Sequence, residues 1–269
     1  MITPKHLIEN AKKYPDKVAL SFKDNSGNWV PQSWSEFYSS TELISRSLIA
    51  CGVNKNDKVS IYSYNRREWV ECYAAIQIIN AAAVGVYHTC SSSEVEWIVN
   101  NSESKIVFVG NNPGDNGENE KMPVHRLNQI IDQLQGIEMI VLMDGVDQIS
   151  NEKVVTWEQF LEKGKNIDAQ QVMSRLEGID SNDTASIIYT SGTTGNPKGV
   201  ELTHHNFNFE LDCLLSFLRY DQGEKFISWL PGAHVFGQAL DNHYWIRTAM
   251  HMFIADNPLN TVDIAKEIH

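Results

Sequence analysis

The chain has 269 residues, and 22 basic against 34 acidic side chains give it a formal charge of −12. That balance excludes a dedicated nucleic-acid binder, whose surface must neutralise phosphates. A composition 42% apolar and 21% charged excludes a disordered or collagen-like chain.

In chain order, Met1 to Asn10 is polar and reads as a helix start. Val18 to Phe22 reads as a strand, and Asn25-Ser26-Gly27-Asn28 as a hairpin turn returning through Trp29 and Val30. Ser33-Trp34-Ser35-Glu36 is a capping box, followed by Phe37, Ile44 and Leu48 at helical spacing and by Gly52 as the stop. Val59 to Tyr62 is the next strand. Trp69 to Ala83 reads as a buried helix, with Trp69, Tyr73 and Ile76 on its core face and Glu68 and Glu71 as a solvated face. Ile76 to Tyr87, broken by Gln77 and Asn80, is the most apolar stretch and is too short to span a bilayer.

Val84 to Tyr87 then predicts a strand, Ser93-x-x-Glu96 a capped helix and Lys105 to Val109 a strand. Gly110 to Pro123 is rich in Asn, Gly, Glu and Pro and reads as a surface loop. Glu138 to Met143 and Ala185 to Thr190 predict strands, with helices around Leu127 and Phe160 between them. Strands alternating with helices imply an α/β fold with a mixed, largely parallel sheet flanked by helices. Gly199 to Thr203 alternates as a strand, a helix starts near His205, His251 to Ala255 is a strand and Thr261 to Ile268 a helix. Cys51, Cys72, Cys90 and Cys213 form no C-x-x-C pair and read as reduced thiols. The adjacent His204 and His205 lack the partners of a metal site and are expected to point apart at a strand end.

Tyr189-Thr190-Ser191-Gly192-Thr193-Thr194-Gly195-Asn196-Pro197-Lys198-Gly199 carries the strongest chemical signal. Glycines admit positive φ and let a bulky anion reach main-chain N–H groups, the hydroxyls of Thr190, Ser191, Thr193 and Thr194 add donors, and Lys198 adds a mobile charge. Such an array suits a polyphosphate. It is not a Walker loop, because Pro197 precedes the lysine and Gly199 follows it. The loop joins two strands, so a helix dipole is not its main attractor.

That string resembles the phosphate-binding signature of the adenylate-forming superfamily, which comprises acyl-CoA synthetases, peptide-synthetase adenylation domains and luciferases. Ile227-Ser228-Trp229-Leu230-Pro231-Gly232-Ala233-His234-Val235-Phe236-Gly237 resembles the L-P-x-x-H segment of the same family. Asp57-Lys58-Val59, Val86-Tyr87-x-Thr89 and Glu96-Trp97-Ile98-x-Asn100-x-Ser102 look like its long-chain acyl-CoA synthetase branch.

The resemblance implies a two-step ligase, in which a fatty-acid carboxylate attacks the α-phosphorus of ATP with Mg²⁺ and CoA then displaces AMP. It implies phosphate binding by Thr190, Ser191, Gly192, Thr193, Thr194, Gly195, Lys198 and Gly199, with Lys198 catalytic. His234 is implied beside the reacting carboxylate, and Val235, Phe236 and Gly237 at the pocket floor. Gln238, where many long-chain members carry an acid, and the small Gly232 leave the acyl length open. An enzyme loading a carrier protein or an amino acid, or a non-catalytic nucleotide-binding product, remain as alternatives.

The Tyr-Gly-x-Thr-Glu segment, the later aspartate and the C-terminal small domain of the family are not found. The expectation is therefore an incomplete large domain, with a first subdomain over 1–180 and the start of a second over 181–269, inactive by itself. A cytoplasmic protein is expected, with peripheral membrane contact and homodimerisation left open.

Overall fold

Side-chain caps start helices where a hydroxyl is followed three residues later by a hydrogen-bonding side chain. Ser33 with Glu36, Ser91 with Glu94, Thr156 with Gln159 and Thr203 with Asn206 each close a reciprocal box. The computed structural model describes residues 1–112, 119–143, 149–190, 195–218, 220–255 and 258–268.

The elements run α1 (Thr3–Lys13), β1 (Val18–Lys23), β2 (Trp29–Ser33), α2 (Trp34–Ala50), β3 (Lys58–Ser63), α3 (Arg67–Ile78) and β4 (Ala82–Val86). There follow α4 (Ser92–Asn101), β5 (Ser104–Gly110), α5 (Pro123–Asn128), β6 (Met139–Leu142), β7 (Val154–Thr156), α6 (Trp157–Gly164) and α7 (Ala169–Glu177). The chain continues through β8 (Thr184–Thr190), β9 (Lys198–Thr203), α8 (His204–Phe217), β10 (Lys225–Ser228), a π-helix (Gly237–Tyr244), α9 (Trp245–Thr248), β11 (His251–Ile254) and α10 (Thr261–Glu267).

A seven-stranded sheet has the order β7-β6-β5-β3-β4-β8-β9, parallel except for the β8–β9 pair. A four-stranded sheet, β10-β11-β1-β2, pairs β1 with β11 in parallel and with β2 as a hairpin. The α/β fold read from the sequence is therefore the fold observed. Thus β8, which follows residue 180, pairs with β4 of the first half and carries β9 at the sheet edge, while β1 pairs with β11.

Strand alternation distributes the core over both faces of the larger sheet. Ile61, Phe108 and Val141 pack with Phe37, Ile44 and Leu48 of α2, Cys72 and Ile76 of α3 and Phe160 of α6. Tyr62, Val107 and Val109 face the other way, onto Val95, Ile98 and Val99 of α4 and Val124 and Leu127 of α5. Leu20 and Met252 of the smaller sheet join the first of these cores, where Trp34 stacks on Trp245 at 5.0 Å. The Trp245 indole N–H donates to the Ala19 and Met250 carbonyls at 3.0 and 2.9 Å. Among the described residues no helix is long and apolar enough to cross a membrane.

Several boundaries differ from the sequence reading. The helix expected to reach Ala83 ends at Ile78, where Asn80 takes a left-handed φ of 61° and Ala82 and Ala83 enter β4. An uninterrupted apolar run carries no period that separates helix from strand. The cap of α4 is Ser91 with Glu94, two residues before the expected pair. His204 and His205 open α8 rather than end a strand, with His204 buried and its pKa pushed down to about 4 by that burial. All four cysteines are free thiols.

Candidate functional site

The hydroxyl-rich loop joins the end of β8 to the start of β9, and Thr190 and Lys198 are Cα partners across this antiparallel pair. Ser191, Gly192, Thr193 and Thr194 lie outside the described residues. Gly195 has φ 134°, a conformation other residues rarely adopt. Gly199 is extended instead, and a Cβ there would come within 3.1 Å of the Tyr189 ring carbon Cζ. The glycine there serves close packing against that ring.

Because β8 runs parallel to β4, the loop leaves the sheet beside the turn that follows β4. Carboxyl ends of parallel strands are where α/β sheets commonly bind ligands. Tyr87, Thr89, Cys90, Glu94 and Ile98 here face Tyr189, Thr190 and Pro197 across a cavity of about 420 Å³. Arg126 fixes the turn by donating to the carbonyls of Thr89 at 2.8 Å and Cys90 at 2.7 Å.

His234 stands on a turn after β10. The Asn65 amide grips that turn as a peptide would: Nδ2 donates to the Leu230 carbonyl at 2.7 Å, and Oδ1 accepts from the Gly232 N–H at 2.9 Å. Gly232 lies on Trp69, where a Cβ would fall 2.6 Å from the indole. The Phe236 N–H donates to His234 Nδ1 at 3.1 Å, which leaves Nε2 as the proton-bearing nitrogen. The His234 ring meets edge-on, at 6.3 Å, the ring of Tyr87, which itself lines the loop cavity.

Val235 and Phe236 are exposed and line an apolar cleft of about 300 Å³ with Leu202, Asn206, Phe207, Glu210 and Ala239. Gly237 is buried behind it, where a Cβ would meet the Pro231 carbonyl oxygen at 2.5 Å. It opens the π-helix, an element frequent at functional sites. In that helix Gln238 is fully buried and accepts from Ser186 Oγ at 2.7 Å and from the Tyr73 hydroxyl at 3.2 Å. Asn65, Trp69, Tyr87 and Arg126 were missed as site residues because they act through tertiary contacts. Only the asparagine–glutamate run after a strand, Asn65 to Glu68, offers a local signal.

Two buried carboxyls flank this region. Glu68 and Glu71 do not form the expected solvated face. Glu71 is 2% exposed and accepts from Gln32 Nε2 at 2.8 Å, while Glu68 accepts from Arg66 at 2.9 Å and Arg67 at 3.1 Å. Burial pushes Glu71 up to about 7, against the pull of Arg67. Asp241, on the π-helix, is likewise pushed up to about 7 by burial, opposed by the Ser228 hydroxyl at 2.7 Å.

A carboxyl whose pKa rises on folding holds its proton more tightly in the folded chain. Its stabilisation is complete below the unfolded pKa, near 4, and is lost as pH rises through 7. Asp241→Asn fixes the neutral form. The variant is expected to match the native chain near pH 4 and to exceed it by about 4 kcal/mol at pH 8. Denaturant unfolding at both pH values checks this, and a pH-independent difference would remove the assignment.

Comparison with known proteins matches residues 7–268 to the family described as AMP-binding enzyme. The chain is 29% identical over 237 residues to the long-chain-fatty-acid–CoA ligase ACSBG2 of Xenopus laevis, covering 87% of this chain and 31% of that protein. It is 29% identical over 238 residues to the long-chain-fatty-acid–CoA ligase FadD15 of Mycobacterium bovis, covering 87% and 37%. The chain thus spans about a third of the length of the curated relatives it matches. Acetoacetyl-CoA synthetase from Streptomyces lividans shares the fold with a TM-score of 0.79 at 18% identity, over 94% of this chain and 38% of that one.

Proposed function

Because the chain belongs to the AMP-binding enzyme family, we propose that it holds the nucleotide and acyl sites of an ATP-dependent fatty acid–CoA ligase. The observation that carries the reading is Tyr87, whose ring walls the cavity beside Thr190 and Pro197 and also meets His234. A phosphate site and a carboxylate site then share one side chain. The names of the curated relatives support a fatty acid as the carboxylate.

In this reading the fatty-acid carboxylate attacks the α-phosphorus of ATP and pyrophosphate departs, after which the CoA thiol displaces AMP from the acyl-adenylate. The obstacle is an anion approaching a polyanion, so this chain contributes charge neutralisation and alignment. Thr190 to Lys198 supply N–H and hydroxyl donors and one ammonium to the departing phosphates. His234 Nε2 donates to a carboxylate oxygen and holds it towards the nucleotide. Leu202, Phe207, Val235, Phe236 and Ala239 take the alkyl chain, each buried methylene contributing about 0.8 kcal/mol. Mg²⁺ bound with ATP would lower the phosphate charge further. Among the described residues no group of three or more His, Cys, Asp or Glu could hold it, so no step here is assigned to it.

The test is pyrophosphate exchange into ATP by the protein extended to the length of its curated relatives. Exchange is expected only with a fatty acid present, and acyl-CoA only after CoA is added. Exchange driven by an amino acid, or transfer to a carrier protein and not to CoA, would replace this reading with another adenylate-forming one.

A further inference from the structure

The two limbs of the loop between β8 and β9 are tied to one helix. The Trp97 indole N–H donates to the Pro197 carbonyl at 2.9 Å, on the residue before Lys198. The Tyr189 hydroxyl, on the residue before Thr190, donates to Asn101 Oδ1 at 2.7 Å. Trp97 and Asn101 are spaced i, i+4 on α4, so they share a helix face.

That helix is itself well anchored. Val95, Ile98 and Val99 are buried against the sheet. Asn100 donates to the Gln133 carbonyl at 3.1 Å and accepts from the Gln135 N–H at 2.7 Å. The Tyr189 ring can cross β9 to reach Asn101 because Gly199 leaves it room.

Trp97 and Asn101 lie on the exposed side of α4, with Trp97 38% exposed. Core packing therefore does not account for an indole there, whereas a fixed span between the limbs does. We propose that Trp97 and Asn101 are positioning residues that hold the two limbs of the phosphate-binding loop at a set separation, so that Lys198 and the strand-end N–H groups meet a polyphosphate without reorganisation. The inference rests on the phosphate reading of the loop given above.

Trp97→Phe and Tyr189→Phe each keep a ring and remove one donor. With magnesium pyrophosphate as the probe and the 269-residue chain as the protein, each variant is expected to bind about ten-fold more weakly, and the double variant more weakly still. Melting temperatures should stay within about 2 °C of the native chain, because each variant keeps a ring and the acceptors left behind, on Pro197 and the exposed Asn101, can turn to water. In the native chain, pyrophosphate should shift the Trp97 indole ¹H–¹⁵N resonance, and in the Tyr189→Phe chain that shift should be smaller.

Native affinity in both variants would overturn the proposal while leaving the phosphate site intact. A loss of affinity that comes only with a collapse in melting temperature would also overturn it, by making the contacts structural. No pyrophosphate or ATP binding by the native chain would instead remove the phosphate reading, and the clamp with it.

Discussion

Lys198→Ala is expected to slow adenylate formation on the order of 100-fold or more while leaving fatty-acid affinity within about two-fold. Lys198 is exposed at the first position of β9, opposite Thr190, so its loss leaves no cavity in the core. In the proposed reaction its charge would matter most when pyrophosphate departs, because negative charge would then accumulate on the leaving oxygens. An interaction stronger in the transition state than in the ground state lowers the rate constant more than the affinity when it is removed. Lys198→Arg keeps the charge but replaces a compact ammonium with a planar fork, and should restore only part of the rate. Pyrophosphate exchange and fatty-acid titration on the extended protein measure the two effects separately. Equal losses in both would take the phosphate role away from this lysine.

Gly85→Val is the second large effect. Gly85 lies within β4, and a Cβ there would fall 2.8 Å from the Ala233 Cα and 3.1 Å from Gln238 Nε2. The nearer contact is backbone, which cannot swing away as a side-chain tip can. The added atoms must therefore push the turn bearing His234 off the strand or strain β4. A cost of about 3 kcal/mol in unfolding free energy is expected, together with loss of exchange activity. Gly52→Ala is the contrasting control for space: a Cβ there would meet nothing within 4 Å, and strain at its φ of 80° is the cause of any loss there. A Gly85→Val chain as stable and active as the native one would show that the turn does not depend on this contact.

What the sequence disclosed follows how local the cause is. The Asn25–Asn28 hairpin, the Ser33 cap and the strand-loop-strand at Thr190 to Lys198 depend on neighbours along the chain, and all three elements are present. The membership of Trp69, Tyr73 and Ile76 in the core was legible from helical spacing. Glu71 departs from the solvated face because the partner of its buried carboxyl is Gln32, 39 residues earlier, and no helical pattern records that partner. The π-helix has no sequence period of its own, and α7 carries a short, polar pattern with two buried apolar positions, Val172 and Leu176. Asn65 was invisible as a site residue for the same reason as Glu71, since it grips a turn 165 residues away.

The parallel pairing of β1 with β11 sets a timetable for synthesis. β1 and β2 are complete by residue 33, but the neighbour that β1 requires begins at residue 251. The seven-stranded sheet has all its strands by residue 203 and can close earlier. At a ribosomal rate of about 5–20 residues per second, the amino-terminal hairpin therefore waits roughly 10–45 s with one edge unpaired. During that interval Leu20 and Trp34 lack Met252 and Trp245, which later bury them. Slowing translation between β9 and β11 would lengthen the time for which that apolar surface stays uncovered.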